Sequence, residues 1–234
     1  MRPLYRLFLT TQATRGRVLG LLALGAVAVI LGFAIGHSAT ADPIDDGTIL
    51  VSAFGLGLFV PVSTLVFASA VLGDPNEDGT LVYLWLRPVA RWRIVLAALA
   101  ATLTVTLPVV VVPMVLAALA TGAGRPLVVG TLDACLVATI AYCGVFTWLG
   151  LRVKRALLWG VAYILVWEGF VARSGRMASR FAIRASARSL LTRISGGPHR
   201  LISVSKPTSI AIPLVAAAVA VFLTVRRLTR QDVA

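Results

Sequence analysis

The chain has 234 residues, 59% of them hydrophobic and 13% charged, with a mean hydropathy of +0.92. No soluble domain of this size needs so much apolar surface, so the composition predicts an all-α, polytopic membrane protein. Lys and Arg number 22 against 9 Asp and Glu, and the basic residues sit at the ends of apolar runs. That pattern marks topology and excludes a nucleic-acid footprint.

Residues 1–17 carry Arg2, Arg6, Arg15 and Arg17 among Leu4, Tyr5, Leu7, Phe8 and Leu9, which predicts a basic amphipathic helix lying at the cytoplasmic interface. Residues 18–36 hold no charge and as a helix extend about 28 Å, enough for one crossing. The run is too long, and is followed by too many others, for a cleaved signal peptide. The next loop, HSATADPIDDG, has three Asp and no basic residue and reads as outside. Residues 48–73 form the second span. Pro61 lies beside Ser63 and Thr64, whose hydroxyls can satisfy carbonyls freed by the proline, so a kink is expected.

A charged and aromatic island follows, DPNEDGTLVYLWLRPVARWR, from Asp74 to Arg93. Asp74, Pro75 and Glu77 have the order of a helix start, with Asp as N-cap, Pro at the first helical position and Glu reaching back. A short helix is therefore expected through Thr80, Leu81, Tyr83, Leu84 and Trp85, ending where Pro88 restricts Arg87. Acids before it and Arg87, Arg91 and Arg93 after it suit the water side of a membrane, either docked in a partner's groove or simply turning the chain.

The third span, residues 94–120, carries Pro108 and Pro113, and TGAGRP with Arg125 turns outside. The fourth, 127–151, has Asp133 near its outer end and returns inside at Arg152, Lys154 and Arg155. Residues 156–172 are a fifth apolar run, just long enough to cross, and the last span is 209–225, held inside by Arg226, Arg227 and Arg230. Six spans result, in one transmembrane domain covering residues 1–234 with both ends cytoplasmic. Segment 173–208 resists this topology because it is strongly basic. Six spans place 13 basic residues inside and 9 outside, whereas a re-entrant fifth run gives 18 and 4.

Within that segment Arg173, Arg176, Arg180, Arg184 and Arg188 recur every three or four residues, one cationic stripe on a helix. An amphipathic helix among anionic headgroups accounts for it; contact with an anionic substrate at the outer mouth of a pathway is the sharper alternative. Glu168 is the only glutamate inside a span and needs a partner there. Arg173 or Arg176 can supply it.

Chemistry has little to work with. His37 and His199 stand apart, Cys135 and Cys143 share one apolar helix, and neither a zinc pattern nor a nucleophilic triad is present. The only lysines, Lys154 and Lys206, lie outside any Gly-rich phosphate loop. The expectation is a non-enzyme without catalytic residues, metal or cofactor of its own.

The string EDGTLVYLWLRPVARWRIVLA, preceded by VLGDPN, resembles the first cytoplasmic loop of permease subunits in type-2 ATP-binding-cassette exporters. There an acidic-Gly-Thr-Leu helix precedes an Arg-Pro-Val-x-Arg turn. The later stretch AYCGVFTWLGLRVKRALLWGVAYILVWEG resembles the same family in its Tyr, glycines, basic turn and Trp-Glu pair. Where the family often has an acid just before the loop helix, this chain has Pro75 and Asn76, leaving Glu77. The resemblance implies that the short helix is a coupling helix seated on an ATPase subunit, with Glu77, Asp78, Gly79, Thr80, Leu81, Tyr83, Leu84, Trp85, Arg87, Pro88 and Arg91 at the contact. It further implies ATP and Mg in that partner, a second permease copy or paralogue, and a plasma or inner membrane location. An ion-coupled carrier and, further off, a lipid-modifying enzyme are the rival classes. The first would show several intramembrane carboxylates and the second an acid/base or metal cluster at one interface.

Overall fold

A computed structural model describes residues 2–38, 42–80, 90–171, 182–197 and 205–230. These residues form eight helical elements: α1 Arg2–Gln12, α2 Arg15–Gly36, α3 Pro43–Glu77, α4 Arg91–Ala120, α5 Arg125–Arg152, α6, α7 Ile183–Ser195 and α8 Lys206–Arg230. Helix α6 is α-helical over Ala156–Ala162 and π-helical over Tyr163–Val171, and a π-helical stretch, Val51–Phe59, also lies inside α3. Five of them, α2, α3, α4, α5 and α8, are long and apolar enough to cross a membrane, while the apolar stretch of α6 is shorter.

Helix α5 is the centre. In its most apolar stretch 67% of the residues are buried, against 22% in α2 and 28% in α8, so α2 and α8 leave their apolar outer faces, including Leu19, Ile30 and Phe222, to the hydrocarbon. Helices α3, α4, α7 and α8 all pack on α5. Small residues set how closely they pack, as expected where no water is available to drive association. A Cβ on Gly150 of α5 would strike the carbonyl oxygen of Ser69 in α3, and one on Gly32 of α2 would strike that of Ala117 in α4. The main core joins Phe59, Leu65, Met114, Leu127, Tyr142 and Phe146.

The two ends of the bundle differ in charge. At one end meet α1, the starts of α2, α4 and α6, and the finishes of α3, α5 and α8, gathering Arg6, Arg15, Arg17, Arg91, Arg93, Arg152, Lys154, Arg155, Arg226, Arg227 and Arg230. Leu4 and Phe8 bury one side of α1 against Val71, Leu72, Ile94 and Ala98. Its polar ties are Tyr5 to Thr104, 3.0 Å, and Gln12 to Thr102, 2.9 Å. Arg227 closes the same end by donating to the Leu151 carbonyl at 3.2 Å. At the other end, Asp42 caps α3 by accepting from the N–H groups of Ile44 and Asp45, and Thr48 pairs with Ser195 at 3.1 Å.

Two expectations from the sequence are corrected here. Asp74, Pro75 and Glu77 do not open a short helix; they are the last turn of α3, which continues through Pro75. Extending an existing helix fixes one residue per hydrogen bond, whereas a new start needs a costly nucleus, and proline forfeits a single bond. The stop is Gly79, at φ 68 just past the C-cap Asp78, the left-handed residue that commonly terminates helices. At Pro61, the Thr64 hydroxyl bonds the carbonyls of Val60 and Pro61 at 2.8 and 3.0 Å, not those the proline frees. A π-helical stretch lies immediately ahead of the proline, and in it the Val60 N–H reaches back to Gly55.

Candidate functional site

Two constellations concentrate polar groups, one at the basic end and one inside the bundle. The first is the close of α3. A helix C-terminus carries partial negative charge, so Asp74 and Glu77 there are unfavourable unless compensated. Arg17 of α2 meets Asp74 at 3.1 Å, and the backbone N–H of Arg155 donates to Glu77 Oε1 at 2.6 Å. Arg155 adopts φ 56 in the turn between α5 and α6, a left-handed conformation that costs a non-glycine residue about 1 kcal/mol. The end of α3 is thus tied to the start of α2 and to the turn leading into α6.

Of the island residues, Glu77, Asp78, Gly79 and Thr80 are exposed, and Arg91 opens α4 half-buried. The Thr80 hydroxyl donates to the Pro75 carbonyl at 3.4 Å. Leu81, Tyr83, Leu84, Trp85, Arg87 and Pro88 lie outside the described residues. The described parts of the island, the close of α3 and the start of α4, lie at the basic end.

The second constellation surrounds Glu168, only 4% exposed. Its Oε1 accepts the N–H of Ile183 at 3.2 Å and the Tyr163 hydroxyl at 3.4 Å, and its Oε2 accepts the N–H of Arg184 at 3.1 Å. A carboxylate from α6 therefore caps the N-terminus of α7, where orphan N–H groups and the helix dipole both favour an anion. The buried hydroxyl of Tyr142 faces the same carboxylate. Arg184 leaves this cluster toward α3, where its guanidinium lies so close to Gly57 that a Cβ there would come within 2.6 Å of it. Gly57 belongs to one π-helical stretch and Glu168 to the other, so the first turn of α7 is wedged between them.

Arg173, Arg176 and Arg180 lie outside the described residues, as does the expected pairing of Glu168 with Arg173 or Arg176. Arg184 and Arg188 fall on α7, both half-buried. The partners the sequence did not suggest are Tyr163, the backbone of Ile183 and Arg184, and Gly57. Glu168 and Ile183 are 15 positions apart with no periodic pattern between them, so no spacing rule links them. The stop at Gly79 was signalled by its residue type alone.

Residues 15–172, about two thirds of the chain, match the family model described as ABC-2 family transporter protein. No curated protein and no solved structure matches the chain. The matched region takes in α2 to α6, with both the close of α3 and Glu168.

Proposed function

The chain belongs to the ABC-2 family of transporter proteins, a multi-pass membrane permease, and from that membership we propose that it is the membrane-spanning subunit of an ATP-driven exporter. Separate ATPase subunits bind ATP with Mg and hydrolyse the ATP. Those subunits press on the segment from Glu77 to Arg91, and the permease works as a pair, with a second copy or a paralogue. The observation that carries this reading is the tied close of α3. A push on the residues after Glu77 is delivered through Arg17 to α2 and through Arg155 to α6 rather than absorbed in a free loop.

The basic end faces the cytoplasm, by the excess of arginine at helix ends. On this orientation the chain makes six crossings, in one transmembrane domain of the plasma or inner membrane. The fifth is the α6 run, and α7 lies in the outer half of the bundle. Arg184 and Arg188 are half-buried against neighbouring helices, so they weigh less in the charge count than loop arginines do. An ion-coupled carrier is disfavoured because the buried carboxylate it would use, Glu168, is already committed to backbone N–H groups. Co-purification tests the proposal: the full chain brings down an ATPase bearing a phosphate loop, and substituting Thr80, Leu84 and Arg87 together abolishes that association while expression holds.

A further inference from the structure

Between α1, the start of α2 and the last turn of α3 lies a cavity of about 400 Å³. Phe8, Ala70 and Val71 give it a buried apolar floor, flanked by Leu7 and Pro75. Its polar lining is defined by which hydrogen-bonding groups are already used. The Thr11 hydroxyl donates to the carbonyls of Leu7 and Phe8, each at 3.1 Å, and Thr80 donates to Pro75. Gln12 donates its amide to Thr102, whose own hydroxyl hydrogen goes to Ala98. Thr11 and Thr80 are left with acceptor capacity only, and Gln12 keeps one amide N–H beside its free Oε1. The Gln12 Oε1 is buried without a partner, a condition that costs about 1–3 kcal/mol unless something donates to it.

The charged groups point the same way. Arg17, the cation of the lining, is held by Asp74 at 3.1 Å. Asp78 also lines the cavity and has no ion-pair partner among the described residues. An apolar floor, surplus acceptors and a spare carboxylate complement an apolar chain that carries a positively charged, multiply donating head. We infer that this cavity binds an amphiphile with a primary ammonium head, its chain along Phe8 and Val71 and its head among Asp78, Thr80 and Thr11. A trimethylammonium head has the charge but no N–H to donate, and an anionic head finds one cation, Arg17, that Asp74 already holds. Ethanolamine phospholipids of the surrounding bilayer and free cationic amphiphiles share this chemistry.

The test uses the full chain with Leu7→Cys, since Leu7 is exposed at the cavity wall while the native Cys135 and Cys143 are buried. Labelling by a water-soluble maleimide is followed in detergent with added dodecylammonium or dodecyltrimethylammonium. Dodecylammonium is expected to slow labelling, the trimethyl analogue to do so several-fold less well, and Asp78→Asn to weaken the protection about fivefold. Equal protection by both heads, or protection untouched by Asp78→Asn, overturns the head-group assignment. No protection by either overturns the site. Reconstitution then separates the sources. Slower labelling in phosphatidylethanolamine vesicles than in phosphatidylcholine vesicles identifies the bilayer lipid as occupant. Equal labelling in both, with dodecylammonium still protective, identifies a free amphiphile. Because no ATPase enters the assay, its outcome is independent of whether the exporter reading holds.

Discussion

Glu168 positions Arg184: its Oε2 accepts the Arg184 backbone N–H at 3.1 Å, and that bond fixes where the side chain leaves α7 for Gly57. The contact joins α6, α7 and α3 at one point inside the bundle. Removing the carboxylate with Glu168→Ala strands two N–H groups in an apolar setting. The expected loss is about 2–6 kcal/mol, at ~1–3 per unsatisfied group, read as a lower midpoint in thermal aggregation of the detergent-solubilised chain. Glu168→Gln keeps an acceptor oxygen and should lose less than half as much.

The approach of Arg184 to Gly57 predicts a rescue. Gly57→Val drives a branched side chain into the guanidinium and is expected to destabilise the protein modestly, by about 1 kcal/mol. Arg184→Ala in the same chain should recover part of that loss, because the clash is with the far end of a flexible side chain. Strict additivity in the double-mutant cycle would show that the two residues do not touch.

Helix approach at α5 makes a sharper demand. Gly150→Ala places a methyl group on the Ser69 carbonyl, a backbone atom that cannot move aside, and should cost about 1–3 kcal/mol through separation of α3 and α5. Gly20→Ala, where nothing lies within 4 Å, is the control. It should be neutral or slightly stabilising, since alanine is the better helix former.

Strain at the α5–α6 turn can be relieved without breaking its hydrogen bond. Arg155→Gly removes the left-handed penalty at φ 56 while its N–H still reaches Glu77, so stability should hold or rise by up to about 1 kcal/mol. Glu77→Ala should change stability by no more than about 1–2 kcal/mol. It should nonetheless reduce any stimulation of ATP hydrolysis that the permease gives its partner, measured in the reconstituted complex.

The sequence makes the helices legible because a 20-residue apolar run has few other uses. Their ends are less so. Arg15 and Arg17 look like a boundary, yet α2 begins at Arg15, since arginine stems can lie along a helix while their heads stay in water. The acidic last turn of α3 has the same residues as a helix start, and only Gly79 tells the two apart. In α1 the basic amphipathic pattern is plain, but which side of it docks depends on the burial of Leu4 and Phe8 against α3 and α4. The π-helical stretches have no compositional signature. The cap of α7 by Glu168 is a tertiary contact, so local spacing pointed toward Arg173 and Arg176 instead.

Site-specific photo-crosslinking tests the coupling proposal most directly. A photoreactive residue placed at Thr80, where the chain leaves α3 at the basic end, should crosslink to an ATPase subunit in native membranes. The same residue at Gly122, in the turn between α4 and α5 at the opposite end, should not. A crosslink from position 122, or none from position 80 in a chain that exports normally, would contradict it.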